Sequence, residues 1–331
     1  MYQTQVLSEK YFKIFTGVYN DFRTKCAVDY KFEIEPLEYD EFIEYFNKKL
    51  ISCIILLEDD IPTGFLAYSN ASADVIELFL IHILGNENID EKRDALMEKF
   101  LLETCEKRKQ ALVSYPMLGV QTDYKEKAAA FGFKFVELGV MVFDVNNKRL
   151  IKEIEQLNLY SIPIGYKIVP YSDIYADELA GIILKSFGGS SDINFDIRFG
   201  TIEGCKDIVE KITKSVYGRF LTHSSKILLH ENRLIGFCLS NVTAERIGNI
   251  PLVGILKEHR GMGLSKLLLK SVVGDVIKLN QSGLVNLTEL NASVDLDNSN
   301  AVKMYEDAGF IRSYSYPQAY LPKSMDSSLA L

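Results

Sequence analysis

Residues 255–265, Ile-Leu-Lys-Glu-His-Arg-Gly-Met-Gly-Leu-Ser, join the end of an apolar run to an Arg-Gly-x-Gly turn and the start of a helical pattern. The run comprises Pro251, Leu252, Val253, Gly254, Ile255 and Leu256, and a leucine-rich periodic stretch opens at Leu264. A strand, a glycine turn and a helix start together build an anion site. Glycine lets the backbone curl and approach a ligand closely, and the unpaired first-turn N–H groups of the helix face the negative charge. The expected chemistry is phosphate binding by the amides of Arg260, Gly261, Met262, Gly263, Leu264 and Ser265, with the Arg260 guanidinium adding charge.

The kind of phosphate is narrowed by what surrounds the turn. A dinucleotide fingerprint needs a third glycine where Lys266 stands, and a P-loop needs Gly-x-x-x-x-Gly-Lys-Ser/Thr, which is absent. Downstream, a strand-like stretch over 285–294 precedes Asn298, Ala301, Tyr305, Gly309 and Phe310 at fixed spacing. The two blocks, in this order and at this separation, resemble the GNAT superfamily of acyl-CoA-dependent N-acyltransferases. Its Arg/Gln-x-x-Gly-x-Gly/Ala motif matches Arg260, Gly263 and Ser265, with serine a departure at the last position. Its Asn-x-x-Ala-x-x-x-Tyr-x-x-x-Gly-Phe pattern matches the second block.

The resemblance implies acetyl-CoA as co-substrate and a primary amine of a small molecule as acceptor, in direct attack within a ternary complex. It implies that Val253, Gly254, Ile255 and Leu256 pair with the pantetheine arm by strand addition. A bulge at Gly254 would splay this strand from the next. Tyr305 is implied as the general acid for the departing thiolate, and Asn298 as a cofactor contact or a helix N-cap. For the general base, Glu245, Glu289, Asp295, His259 and ordered water stay open. The reading from another class is a non-catalytic acyl-CoA-binding or sensing protein.

These motifs need elements to hold them, and the chain supplies the same order twice. Helices are expected over 11–28 and 39–49, hairpin strands over 51–57 and 64–68, a strand over 75–84 and a helix over 91–108. A strand over 111–115 and a helix ending at Gly132-Phe133 follow. The second half repeats this with helices over 175–187 and 201–216 around a Gly/Ser/Asp loop, strands over 226–230 and 234–239, then the motif region ending at Gly309-Phe310. The expected fold is α/β, with two tandem GNAT-like domains, each a mixed, mostly antiparallel twisted sheet flanked by helices. The boundaries are 1–146 for a degenerate domain, 147–165 for a linker and 166–331 for the domain with the acyl-CoA site. Such a tandem resembles the mycothiol synthase branch of the family, as does the string from Val294 to Asn298. In the first half, Glu87, Asp90 and Glu91 stand where the second has its glycine turn, Ala128 matches Tyr305 and Gln121 matches Asn298. Acids at that helix start repel a pyrophosphate.

Composition bounds the rest. The chain has 331 residues, 47% hydrophobic and 25% charged, which suits two globular domains. A net charge of -8 disfavours nucleic acid as a partner. No apolar stretch reaches membrane-spanning length, and the first ten residues lack a signal-peptide pattern. Five cysteines without a Cys-x-x-Cys pair and four histidines without ligand spacing suggest a reducing, cytoplasmic setting and no metal. The assembly is expected to be a monomer or homodimer.

Overall fold

The computed structural model describes residues 2–32, 35–156, 162–244 and 246–323. Contacts gather the chain into two compact units, Met1–Val136 with Tyr316–Leu331, and Glu137–Ser315.

In the first unit the order is β1 (Gln3–Val6), α1 (Phe12–Lys25), α2 (Tyr39–Asn47), β2 (Ser52–Glu58), β3 (Ile61–Ser69), β4 (Val75–Ile83), α3 (Ile89–Glu103), β5 (Leu112–Pro116) and α4 (Lys125–Ala130). Strand β2 is apolar on both faces because both are covered. Cys53, Ile55 and Leu57 join the aromatic core under α1 and α2, while Ile54 and Leu56 join the core with Leu96, Met97 and Phe100 of α3. This is the period-two alternation of a strand buried between two helical layers. Strand β4 pairs in parallel with β5 only over residues 75–77, then continues beside β3 alone.

In the second unit come β6 (Lys134–Asp144, residues 137–144 falling here), α5 (Lys148–Glu155), β7 (Tyr166–Pro170), α6 (Ala176–Phe187), α7 (Ile202–Thr213), β8 (Arg219–Phe220), β9 (Lys226–His230) and β10 (Arg233–Cys238). There follow β11 (Asn241–Ala244), β12 (Ile247–Asn249), β13 (Val253–Ile255), α8 (Leu264–Gln281), β14 (Glu289–Asp295), α9 (Ser299–Asp307) and β15 (Ile311–Leu321). Its strands form two sheets, β6-β14-β12-β11-β8 and β13-β10-β9-β7. The single strand expected across 251–256 is therefore shorter and belongs to a break. Residues 247–249 run parallel to β14, the chain leaves strand geometry at Ile250–Leu252, and 253–255 pair antiparallel with β10. Pro251 sits in the gap, where its missing N–H costs no ladder bond. Helix α8 buries Leu264, Leu268, Leu269, Val272, Val273, Val276 and Ile277, one face at helical spacing, against β9, β10 and β13.

Both Gly-Phe signals end a helix in the same way. Gly132 (φ 91°) and Gly309 (φ 96°) take the left-handed conformation, which glycine adopts without Cβ strain. Each is the 5→2 donor of a Schellman motif (Gly132 N–H to Ala129 O, Gly309 N–H to Glu306 O). Phe133 and Phe310 give the 6→1 bonds, to Ala128 and Tyr305. Tyr305 and Ala128 are thus equivalent positions.

The unit boundaries differ from those expected. Residues 137–144 of β6 pair with β14 of the second unit, and residues 318–321 of β15 pair with β5 of the first. The strand following each Gly-Phe stop is thus laid into the sheet of the other half, a long-range choice that local pattern does not encode. The expected linker holds α5, whose N-cap Asn147 accepts from Arg149 N and Leu150 N and whose Ile154 is buried in the second core. Residues 157–161 of that linker lie outside the described residues. The short strands β1 and β7 had no sequence expectation.

Ala319, fully buried and opposite Tyr115, tests the exchanged strand. Ala319→Asp buries an unpaired carboxyl at a cost of about 3 kcal/mol or more, which lowers a melting midpoint by roughly 6–12 °C in a unit of this size. An unchanged midpoint in a thermal melt would remove residues 316–321 from the core of the first unit.

Candidate functional site

The break at Pro251 leaves β13 at the edge of its sheet. The ladder bonds of Leu239 N to Leu252 O and of Leu256 N to Ile235 O fix the alternation. Residues 252, 254 and 256 face β10, so Val253 and Ile255 turn their N–H and C=O groups to the free edge. At Gly254, an added Cβ would stand 3.1 Å from the Phe237 ring and 3.3 Å from Phe187. Glycine there is required by close ring packing. The expected bulge is not at Gly254, which pairs in unbroken register with Phe237; the register shift lies in the neighbouring strand, between Leu234 and Gly236.

From β13 the chain passes through a turn into α8. Gly261 (φ 82°) and Gly263 (φ 71°) are both left-handed, Gly263 caps α8, and no atom lies within 4 Å of a Cβ built on either. Open space above left-handed glycines at a helix N-terminus is what an anion cradle requires. A cleft of about 740 Å³ runs along this turn, with Val253, Gly254, Ile255, Arg260, Gly261, Leu264, Ser265 and Asn298 on its wall. Leu256 is buried in the core, and Met262 is exposed with its sulfur 4.0 Å from Tyr166 Oη. Arg260 Nε donates to Ile255 O (2.9 Å) and Nη2 to Ser186 O (3.5 Å), so its guanidinium ties the end of β13 to the end of α6. Asn298 Oδ1 accepts from Ala301 N (3.1 Å), the N-cap arrangement, while also lining the cleft.

Tyr305 is 4% exposed and lies behind Ala301 and Met304, which reach the wall. Its ring meets Phe310 at 5.3 Å, the apolar contact of the Schellman motif. Burial pushes its phenol well above the ordinary range, with Cys238 and Asp192 adding to the shift. Of the bases considered, Glu245 lies outside the described residues. Glu289 accepts from Asn291 and is not on the wall. Asp295 accepts from Ser191, and His259, on the wall, has Nδ1 2.9 Å from Tyr166 Oη. The acid that does line the cleft is Asp192, in the Gly/Ser/Asp loop after α6. Its composition was visible in the sequence, but its position beside β13 was not.

In the first unit the corresponding strand edge is taken by side chains, and the cleft of about 620 Å³ beside it is lined by Tyr30, His82, Asp90, Glu91 and Arg93. Registering Val75 on Ile247 puts Ile81 at the position of Val253 and His82 at that of Gly254. Ile81 N donates to Gln121 Oε1 (3.1 Å), which also accepts from Tyr115 Oη (2.9 Å). Tyr30 Oη stands 2.7 Å from His82 Nδ1 and 3.4 Å from Ile81 O. Side chains thus occupy the backbone groups that β13 leaves free. The turn into α3 is also shorter, and Asp90 and Glu91 stand in the first helical turn. Burial holds His82 neutral, its pKa pulled down to about 4.

Among the described residues no group of three or more His, Cys, Asp or Glu side chains could hold a metal ion, and no helix is long and apolar enough to cross a membrane. No curated protein matches the chain. Residues 207–310 match the acetyltransferase (GNAT) family. Among solved structures, the chain is similar to a GCN5-related N-acetyltransferase from Sphaerobacter thermophilus (14% identity, 96% of this chain and 95% of that one, TM-score 0.63). It is also similar to a tandem GNAT protein from the clavulanic acid biosynthesis pathway (10% identity, 99% and 100% covered, TM-score 0.58). A third likeness is to a GCN5-related glucosamine N-acetyltransferase region of a fungal multi-domain β-N-acetylglucosaminidase (14% identity, 97% of this chain, 38% of that one, TM-score 0.64). The chain has the fold of tandem GNAT proteins, and residues 207–310 of its second unit carry the match to the acetyltransferase (GNAT) family.

Proposed function

We propose that the second unit transfers an acetyl group from acetyl-CoA to a primary amine of a small molecule. The observation that carries this reading is the open edge of β13 leading into a left-handed glycine turn at the N-terminus of α8. Acetyl-CoA supplies an activated thioester on an extended amide chain ending in phosphates. The residues fit both parts: Val253, with its N–H and C=O, and Ile255, with its N–H, offer backbone groups to the arm, and residues 260–265 offer amides and a helix dipole to the pyrophosphate. Arg260 acts mainly by holding β13 and α6 around the cradle, since its Nε is committed to Ile255 O. The N–H of Ile255, turned to the free edge, is placed to donate to a thioester oxygen as charge develops there. A single such donor is typically worth about 3 kcal/mol in the transition state.

Tyr305 is the proposed proton donor to the leaving thiolate. A phenol is protonated at neutral pH, as a general acid must be. The other reading, a sensor that binds acyl-CoA without turnover, shares the cradle and differs only in chemistry. A thiol-release assay with acetyl-CoA against primary amines, amino acids, polyamines and amino sugars separates the two.

Three outcomes are expected. Gly261→Val with Gly263→Val imposes left-handed strain of about 1–2 kcal/mol per site and covers the cradle amides. The double variant should stay folded and lose at least tenfold in CoA affinity by calorimetry; unchanged affinity would sink the cradle assignment. Because Gln121 and Tyr30 occupy the Ile81 edge and Asp90 and Glu91 line the turn into α3, the full chain should bind one CoA, and a stoichiometry of two would contradict that assignment. Tyr305→Phe retains the ring against Phe310 and removes only the oxygen. It should lower kcat by roughly 10²–10⁴ with little change in the Michaelis constant for acetyl-CoA. Full turnover would leave Tyr305 the packing role of its Schellman contact alone.

A further inference from the structure

Resting on the acyltransferase reading, we propose that Asp192 receives the acceptor ammonium and takes its proton. Asp192 is the carboxylate on the wall of the cleft, which otherwise carries the cations Lys185, Lys257 and Arg260 along with His259. It sits in the loop between α6 and α7, on the same wall as Val253, Gly254 and Ile255 of β13. The carboxylate thus shares the cleft with the strand edge proposed to hold the thioester arm, and the cations serve a polyanionic donor.

The loop fixes the carboxylate. Ser190 Oγ donates to Asp192 Oδ2 at 2.7 Å, with Phe187 O a second neighbour of the same hydroxyl at 2.8 Å. Of the charged groups facing Asp192, Asp196 is paired with Arg198 at 2.6 Å, and Asp295 accepts from Ser191. Burial, with Asp295 and Asp196 adding, raises the Asp192 pKa, while the Ser190 bond opposes the rise. Two carboxylates in one partly buried place favour a bound cation over a neutral or anionic acceptor.

The proposed step balances. The ammonium gives one proton to Asp192, the freed nitrogen forms the C–N bond as the C–S bond breaks, the thiolate takes a proton from Tyr305, and the second proton shed by the acylated nitrogen restores the Tyr305 phenol. Asp192 returns its proton to solvent, so the net products are amide, free thiol and one released proton. Activity should fall as pH drops through the Asp192 pKa, with a limb above the ordinary aspartate range.

The test compares an alkyl primary amine with 2,2,2-trifluoroethylamine, whose electron-withdrawing group leaves it already largely neutral at pH 7, both with acetyl-CoA. Asp192→Asn should bind CoA as the wild type does and lose roughly 10²–10⁴ in kcat/KM with the alkylamine. It should lose less than about fivefold with trifluoroethylamine, and the alkylamine deficit should shrink as pH rises. Ser190→Ala removes the hydroxyl that opposes the shift and should move the acid limb to higher pH. Equal turnover of wild type and Asp192→Asn, equal losses with both amines, or an unmoved limb in Ser190→Ala overturns the proposal alone. A wild-type protein that binds CoA yet transfers acetyl to no amine overturns it together with the acyltransferase reading.

Discussion

The geometry of the second unit hangs on one interruption of backbone pairing. Strand β12 runs beside β14, the chain steps out of the ladder at Pro251, and β13 resumes beside β10 in another sheet. Had the ladder with β14 continued along β13, the edge of β13 that faces away from β10 would be consumed by pairing. The step leaves the N–H groups of Val253 and Ile255 and the Val253 carbonyl at a sheet edge, with Ile255 O taken by Arg260 Nε, and an unpaired backbone group is costly unless water or a ligand satisfies it. It also aims the chain at α8, whose first-turn amides lack partners for a separate reason. Two sets of unsatisfied donors, one from a sheet edge and one from a helix start, meet at one cleft.

The first unit shows the same step solved without a ligand. Strand β4 leaves β5 after residue 77, so the amide of Ile81 faces the gap. Gln121 fills it, and Tyr115 and Tyr30 complete the closure. A buried amide left alone would cost about 1–3 kcal/mol, so the glutamine stabilises this unit where a substrate would otherwise be needed. His82 then stands where Gly254 stands in the second unit. One sheet geometry thus gives an occupied strand edge in one half and an open one in the other, and only a few side chains decide which.

Much of this was legible locally. The Gly-Phe pairs announced helix stops, because a left-handed C′ residue followed by an apolar one is a short-range requirement, and the Schellman bonds at Gly132 and Gly309 meet it. The glycines at 261 and 263 announced the turn for the same reason. What escaped was everything set by pairing across long separations. Nothing near β6 or β15 says that each joins the sheet of the other half. Nothing near Pro251 says that the flanking strands enter different sheets. Asp192 lay in a loop whose Gly/Ser/Asp composition shows that it bends but not what it bends toward. Gln121 was matched to Asn298 by counting back from Gly132, yet its role at Ile81 depends on a strand 40 residues earlier.

Charge supplies the last link between chain and reaction. The protein carries a net charge of -8, yet the cleft is lined by Lys185, Lys257 and Arg260, with Asp192 as its acid. Within a Debye length of about 8–10 Å the local groups outweigh the remote ones, so a polyphosphate meets a positive surface despite the net charge. Further out, the acidic surface concentrates cations, including protonated amines. In the proposed reaction, donor and acceptor carry opposite charges and are drawn by opposite fields to neighbouring ends of one cleft. In that proposal the Asp192 carboxylate, on the same wall as the cations, holds the ammonium while charged and takes its proton when the amine attacks.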